Sequence, residues 1–347
     1  MSSSSVILDN QSLVTPAQLR DHHGGFDMPT DERWVLRARD QLRLTFSIAL
    51  GKIGEEQPWS QVLNWLSLEL HSLRRAYPDA VWRKIVPIAQ AHPLTDLLRL
   101  DPFTDWSFRK PRGYSGDAQL LDFIYGHASQ DAAIAKASTT GAAIFECTRR
   151  SASSAAVRER RDLLAAHVDT LAAEQAGETE ILTIAAGHLR EAALSTAFQS
   201  GRIGRWVALD QDPESLAGIA ADYAGTSVEP VEGSVAGLLR GAYGLGTFDF
   251  VYAAGLYDYL PRAVAVKLTR RCMAMLKPGG RFLFANFSDR TKDDGFMEVF
   301  MNWELLLRSD EEMWDIINAS IDRNTVEASV VPGENGEIAY GLIRKLC

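Results

Sequence analysis

The sequence predicts an α/β protein in which an all-α N-terminal domain precedes a doubly wound, seven-stranded, mostly parallel sheet. From residue 31 to about 174, apolar side chains recur at helical spacing, and no useful strand-like alternation appears. After Gly177, short apolar runs alternate with helical segments, which is typical of βαβ units whose sheet is covered on both faces. We therefore divide the chain into a flexible N-terminus (1–25), a helical domain (26–175) and a sheet domain (176–347).

The helical domain shows two clear apolar stripes. One joins Trp34 to Phe46 in steps of four residues, and the other runs from Trp59 to Tyr77. Pro58 suits the first turn of the second helix. Further short helices are predicted at 81–91, 117–126, 131–149 and 153–174.

Five apolar runs predict the parallel strands: Ile181–Ala186, Trp206–Leu209, Ser227–Val231, Phe248–Ala253 and Arg281–Asn286. Two more strands, Thr325–Val331 and Glu337–Arg344, flank the turn residues Pro332–Gly336. That arrangement predicts an antiparallel hairpin at the end of the sheet.

Composition narrows the class of partner. The chain has 347 residues, 36 Lys and Arg against 45 Asp and Glu, and a net charge of −9. This charge disfavours nucleic acid, whose phosphates need clustered positive side chains. Three scattered cysteines without a CxxC pattern predict neither a disulfide framework nor a metal site. With no signal-peptide pattern and no long apolar run, we expect a cytoplasmic monomer or homodimer that binds a small molecule and no membrane.

In a doubly wound sheet, ligands bind beyond the carboxyl ends of the strands. A dinucleotide fingerprint after the first strand would place glycines at 185, 187 and 190, but only Gly187 is present. The loop therefore disfavours NAD, although a lone glycine here can also be a tight turn. Asp210 follows the second strand at a spacing that suits a ribose carboxylate, while Asp212 before Pro213 suits a helix cap.

The next two loops leave alternatives open. Ser234 suits either an adenine contact or a helix N-cap. Ala253 and Gly255 would admit a ligand closely at the end of the fourth strand. The following Tyr257–Tyr259 segment supplies either polar groups for a cleft or aromatic packing for the next helix. An adenosine site with a ribose carboxylate and no pyrophosphate cradle favours S-adenosylmethionine, which carries no phosphate.

With these motifs, residues 179–344 resemble a class I S-adenosylmethionine-dependent methyltransferase. The segments that carry the resemblance are Ile181–His188, Ala208–Asp210, Phe248–Tyr252 and Leu276–Gly280. The first departs from the family pattern, because Ala185 and Leu189 replace two customary glycines. The resemblance implies a Rossmann-like methyltransferase fold, S-adenosylmethionine as cofactor and S-adenosylhomocysteine as product.

A narrower resemblance is to a bacterial subgroup with a helical N-terminal domain, which includes enzymes that make 3-hydroxypalmitic acid methyl ester, a cell-to-cell signal. Its carriers are Lys110–Asp117, Gly187–Glu191, Gly255–Leu260 and the stretch from Trp303 to Arg308. It implies methyl ester formation on a carboxylate in signal or secondary-metabolite biosynthesis.

The candidate site residues follow from these loops and resemblances. For cofactor binding they are Ala185, Gly187, Asp210, Gln211, Ser234, Ala253, Gly255, Tyr114 and Arg158. For substrate binding they are Arg112, Tyr257, Trp303 and Arg308, and for catalysis Tyr257, Tyr259 and His188. Packing, capping or a solvated helix face are the alternatives for His188, Arg158, Trp303 and Arg308. Gly113 and Gly116 on either side of Tyr114 predict a flexible lid.

The acceptor decides whether a base is needed. A carboxylate needs only donors that orient it, whereas a hydroxyl, amine or hydroxamate favours His188, Glu191 or Asp258 as general base. Competing hypotheses are a methyltransferase for nitrogen or hydroxyl oxygen and a non-catalytic ligand-binding module. An NAD enzyme is disfavoured by the missing glycines, and an RNA methyltransferase by the charge.

Overall fold

The computed structural model describes residues 32–175 and 177–346, so the predicted flexible N-terminus at 1–25 lies outside the described residues. The described chain divides into a helical unit, residues 32–155 and 291–305, and a sheet unit, residues 156–175, 177–290 and 306–346. This division differs from the boundary predicted near residue 175. The long helix before the sheet belongs mostly to the sheet unit, and a segment from the C-terminal half belongs to the helical unit.

The described helices before the sheet number nine. They are α1 (Glu32–Gly54), α2 (Trp59–Ala76), α3 (Asp79–Gln90), α4 (Pro93–Leu98), α5 (Pro102–Arg109), α6 (Ala118–Tyr125), α7 (Asp131–Ala135), α8 (Thr139–Thr148) and α9 (Ala152–Glu174). The predicted stripe of α2 is buried, including Leu66 and Leu70. The single helix predicted at 131–149 is two helices, because Ser138 caps the second through the Gly141 amide.

In the sheet unit, seven strands form one sheet in the order β3-β2-β1-β4-β5-β7-β6. They are β1 (Thr179–Ile184), β2 (Ile203–Asp210), β3 (Val228–Glu232), β4 (Phe248–Ala253), β5 (Leu276–Phe287), β6 (Val326–Pro332) and β7 (Ile338–Lys345). Only the β5–β7 and β6–β7 pairs are antiparallel. The predicted mostly parallel, doubly wound sheet with a C-terminal hairpin is therefore confirmed. The strand order reverses between β1 and β4, which is where such sheets bind ligands.

The remaining helices connect or cover the strands, except one. They are α10 (Thr196–Gln199), α11 (Pro213–Asp222), α12 (Val235–Arg240), α13 (Arg262–Ala274), α14 (Asp294–Phe300) and α15 (Asp310–Ser320). The exception is α14, which lies in the helical unit. Every residue of β4 is buried, so the switch point lies beside the best-covered strand of the sheet. None of the helices in the described part of the chain is both long and apolar enough to span a membrane.

The fifth strand begins earlier than predicted. It was expected at Arg281, yet β5 starts at Leu276 and includes the Pro278–Gly280 turn residues. Phe248 pairs with Leu276 and Phe250 with Arg281, so the intervening β5 residues form a bulge opposite β4. Gly279 adopts a φ of 77° in this bulge. The observed start of β5 therefore lies five residues before the predicted one.

The segment 291–305 is fastened to α2 by a series of polar contacts. Ser67 Oγ donates to Asp293 Oδ1 at 2.8 Å, and the side chains of His71 and Asp294 meet at 2.7 Å. One turn farther along α2, Arg74 Nε donates to Glu298 Oε1 at 3.2 Å. Successive residues of α2 thus pair with successive residues of the segment 291–305, so α14 lies along the polar face of α2.

A close backbone approach accompanies these contacts. A Cβ atom added to Gly295 would lie 2.6 Å from the backbone carbonyl atoms of Leu70. Atoms of the main chain cannot rotate away as a flexible side chain can, so α14 can approach α2 this closely only with glycine at position 295.

We predict that Gly295→Ala lowers the free energy of unfolding by about 1–3 kcal/mol, the usual range for overpacking. Gly51→Ala is the matched control, because Gly51 lies in α1 with nothing within 4 Å of an added Cβ. That substitution should leave stability unchanged or raise it by about 0.5–1 kcal/mol. Urea denaturation of both variants measures the difference, and equal stability of Gly295→Ala and wild type would contradict the close approach.

Candidate functional site

The loop after β1 has an unusual backbone. Ala185, Gly187 and Leu189 have φ values of 57°, 56° and 52°, so alternate residues occupy the left-handed region. Two of these are the positions at which the family pattern has glycine, and the conformation is kept although alanine and leucine carry a Cβ. A left-handed non-glycine residue costs roughly 1–2 kcal/mol. The loop is therefore held in this shape by contacts elsewhere.

Asp210 supplies the strongest of those contacts. Its Oδ2 accepts the Gly187 amide and its Oδ1 accepts the Asp212 amide, both at 2.8 Å. The carboxylate thus joins the loops that follow β1 and β2. Burial raises the pKa of Asp210 to about 6 against the hydrogen bonds, which lower it. Asp212 caps α11 through the Glu214 amide at 2.9 Å, which confirms the predicted cap.

Gln211 and Ser234 lie next along these strand ends. The side-chain amide nitrogen of Gln211 is buried, and no hydrogen-bond partner for it exists among the described residues. Ser234 Oγ accepts the Gly237 amide at 3.1 Å and caps α12, so the capping alternative is the one observed. A buried donor without a partner is a costly arrangement, and Gln211 is therefore suited to a ligand acceptor.

The loop after β4 is held by two buried arginines. Arg160, from α9, donates from Nη1 to the Ala254 carbonyl at 2.8 Å. Arg308 donates from Nη1 to the Tyr257 carbonyl at 2.6 Å and also contacts Leu260 O and Asn286 Oδ1. Ala253 is fully buried at the end of β4, and Gly255 is partly exposed beyond it. Main-chain carbonyls at both ends of the loop are thus paired with cations.

The side chain of Tyr257, which was predicted to take part in catalysis and substrate binding, lies buried inside the sheet unit. The side chain is 0% exposed, its hydroxyl bonds Thr269 Oγ1 at 2.8 Å, and its ring centroid lies 4.5 Å from that of Phe284. Burial raises the pKa of this hydroxyl. Tyr257 packs against Phe284 of β5, and Thr269 of α13 satisfies its hydroxyl in this buried position.

Arg308, which was predicted to contact substrate, is also engaged inside the sheet unit. Its guanidinium is buried and directed at the three acceptors named above, two of which are main-chain carbonyls. Arg308 is therefore an internal brace, which corresponds to the packing alternative.

The three candidate bases lie in different surroundings. His188 is partly exposed, with Nδ1 3.3 Å from Arg190 Nη2, and its ring faces Gly218 of α11. Glu191 is buried and accepts the Tyr252 hydroxyl at 2.5 Å, and burial raises its pKa. Asp258 Oδ1 accepts the Phe287 amide at 2.6 Å, and burial raises its pKa to about 6. Two of the three bases are thus engaged inside the sheet unit.

The other candidate site residues are divided between the two units. Arg112, Tyr114 and Trp303 belong to the helical unit, where Arg112 and Trp303 are buried and Tyr114 is partly exposed. Gly113 and Gly116, on either side of Tyr114, have φ values of 84° and 72° and so lie in the left-handed region that favours glycine. In the sheet unit, Arg158 is partly exposed on α9, and Tyr259 is 8% exposed.

Sequence reasoning did not single out Arg160 as a candidate site residue. The signal was present in the spacing. Arg160 stands three residues after Val157 and four before Leu164, both buried on α9, so it occupies an apolar position of the helix.

Within the described residues, no group of three or more His, Cys, Asp or Glu side chains is arranged to hold a metal ion.

The raised pKa of Asp258 predicts a pH-dependent stability difference. Since the folded pKa lies above the usual value of 3.8 for an aspartic acid, the folded chain binds this proton more tightly, and the stabilisation is lost as pH rises through about 6. Asp258→Asn keeps an oxygen for the Phe287 amide but cannot ionise. Relative to wild type it should gain about 1.4 kcal/mol between pH 5 and pH 7.5, because the wild-type carboxyl releases its proton in this range.

Urea denaturation at both pH values measures this gain. Asp315→Asn is the control, because the pKa of the exposed Asp315 carboxyl is lowered beside Arg262 and it stays ionised throughout this range. Parallel pH curves for Asp258→Asn and wild type would contradict the prediction.

Comparison with known proteins adds information on the fold. No protein-family model and no curated protein matches the chain. Among solved structures, it is similar to a possible exported protein from Bordetella parapertussis, with a TM-score of 0.57, 16% identity, and coverage of 77% of this chain and 93% of that chain. At this identity the likeness concerns the fold alone.

Two methyltransferase structures are more distant. The N-methyltransferase NodS from Bradyrhizobium japonicum WM9, in complex with S-adenosyl-L-homocysteine, has a TM-score of 0.40 and 15% identity, covering 55% of this chain and 87% of that chain. The 1,6-didemethyltoxoflavin-N1-methyltransferase from Burkholderia thailandensis has a TM-score of 0.38 and 21% identity, covering 56% of this chain and 79% of that chain.

Proposed function

We propose that the protein is an S-adenosylmethionine-dependent methyltransferase that acts on a small molecule. The observation that carries the proposal is the position of Asp210. It ends β2 beside the switch point and holds the Gly187 amide of the β1 loop. A carboxylate there accepts ribose hydroxyls in addition to amides, because each oxygen has two lone pairs.

The residues present fit this cofactor in two further respects. Gln211 offers a buried amide donor without a partner among the described residues, which suits an acceptor atom of the adenosine. Ala185, Ala253 and Gly255 are small and allow close approach to the main chain. We assign these residues to cofactor binding, together with Gly187. Ser234, Arg158 and Tyr114 are proposed as further contacts, with Arg158 directed to the cofactor carboxylate.

When bound, the cofactor supplies a methyl group already activated by a sulfonium centre. The work left to the protein is alignment of the acceptor and exclusion of water. We propose a carboxylate acceptor, with a methyl ester as product. The engagement of Glu191 by Tyr252 and of Asp258 by the Phe287 amide supports an acceptor that needs no general base. Arg112, Trp303 and Tyr259 are the proposed substrate contacts.

A hydroxyl or amine acceptor is the second candidate. His188 favours it, because this partly exposed imidazole directly follows Gly187 and histidine is the side chain that most often serves as a general base. A non-catalytic ligand-binding module is the remaining alternative. We also propose that the protein is cytoplasmic and acts in secondary metabolism.

Asp210→Ala should weaken binding of S-adenosylhomocysteine by an order of magnitude or more, because it removes both the ribose acceptor and the tether of the β1 loop. Asp249→Ala is a matched control. Asp249 is also a buried strand-end carboxylate that accepts an amide, that of Glu180, but it lies at the amino end of β4. Calorimetric titration of both variants, below their melting temperatures, measures the effect. Unchanged affinity in Asp210→Ala would refute the ribose assignment, and absence of binding to wild type would refute the proposed function.

A product assay identifies the acceptor. Labelled S-adenosylmethionine is incubated with panels of small carboxylic acids, amines and hydroxamates, and we expect base-labile methyl esters as products. His188→Gln should then retain most of the rate, since no proton is removed. Alkali-stable N-methyl or ether products, with a large rate loss in His188→Gln, would favour the second candidate.

A further inference from the structure

Arg160 is a buried cation in a helix face that is otherwise apolar. It is 5% exposed, and its neighbours at helical spacing, Val157 and Leu164, are each 2% exposed. An arginine at such a position is stable only if acceptors and negative charges meet it inside the protein. The contacts of its guanidinium therefore show what the residue does.

Those contacts converge on the loop after β4. Nη1 donates to the Ala254 carbonyl at 2.8 Å, and a Cβ added to Gly255 would lie 3.7 Å from Nη2. The guanidinium thus lies along the main chain of these two residues. Arg308 holds the far end of the same loop through the carbonyls of Tyr257 and Leu260. Arg160 alone of the two adjoins the Ala254–Gly255 end.

Two buried carboxylates share the charge of Arg160. It lowers the pKa of Glu191, which follows β1, and of Asp258, which follows β4, in both cases against the larger effect of burial. Asp258 in turn accepts the Phe287 amide at the end of β5. The loops that follow β1 and β4, together with the end of β5, are therefore linked electrostatically to one cation.

We propose that Arg160 is a positioning residue of the cofactor site, which holds the Ala254–Gly255 main chain in the conformation that admits the cofactor. The proposal rests on the proposed function. This role differs from a general contribution to stability, because Arg160 would set the conformation of one loop that faces the cofactor. The residue acts through the Ala254 carbonyl and the two carboxylates, without touching the reacting atoms.

The test uses the full chain with Arg160→Lys and Arg160→Gln. Lysine keeps the charge but lacks the planar guanidinium that lies along the Ala254–Gly255 main chain. We expect affinity for S-adenosylhomocysteine to fall about threefold or more in Arg160→Lys and about tenfold or more in Arg160→Gln. In Arg160→Gln the carboxylates lose their counter-charge, so affinity should recover as pH is lowered from 8 to 6.5.

Arg270→Lys is the matched control, because Arg270 also donates to main-chain carbonyls, those of Ala319 and Ser320 at the end of α15. It should bind S-adenosylhomocysteine as wild type does. Hydrogen-exchange mass spectrometry adds a readout without ligand. Protection of a peptide spanning residues 253–260 should fall in Arg160→Lys and stay unchanged in Arg270→Lys.

The outcomes separate the two proposals. If wild type binds neither S-adenosylmethionine nor S-adenosylhomocysteine, the proposed function fails and this role fails with it. If wild type binds and Arg160→Lys binds equally well with unchanged exchange, only the role of Arg160 is overturned. Should Arg160→Gln not fold, the lysine variant decides by the same criteria.

Discussion

The arrangement of the candidate site depends on the carboxylate of Asp210. Through two 2.8 Å hydrogen bonds it fixes Gly187 in the β1 loop and Asp212 at the start of α11. These bonds hold a loop in which Ala185 and Leu189 adopt left-handed φ values without glycine. A buried ionisable group that accepts two main-chain amides is a constraint on both loops at once, since neither can move without leaving an amide or a carboxylate unpaired.

Two buried arginines hold the loop after β4, on the other side of the switch point. Arg160 and Arg308 together hold four acceptors in or beside the loop after β4, of which three are carbonyls of Ala254, Tyr257 and Leu260. Irregular backbone lacks the hydrogen bonds of a strand or helix, so buried carbonyls there need side-chain donors. The site is thus built from loops whose polar main-chain groups are satisfied by charged side chains.

The sequence was most informative where the determinants are local. Apolar periodicity predicted the strands, and the spacing from Gly187 to Asp210 correctly singled out a residue that the structure ties to Gly187. Local pattern could not place Tyr257, because the partner of its hydroxyl, Thr269, lies on the following helix. Local pattern could not place Arg308 either, since its acceptors Tyr257 O and Leu260 O lie about fifty residues earlier in the chain. Arg160 could have been found by treating its apolar helix position as more informative than the neighbouring charges.

The origin of α14 in the C-terminal half has a consequence for biosynthesis. Ser67 and Asp293 are 226 residues apart in the chain, yet they are hydrogen-bonded within the helical unit. Phe46 and Phe300 likewise pack with ring centroids 5.6 Å apart. Domains generally fold from the N-terminus while the chain is still being synthesised. Here the first unit to leave the ribosome must wait until five strands of the sheet have been translated before its own core can close.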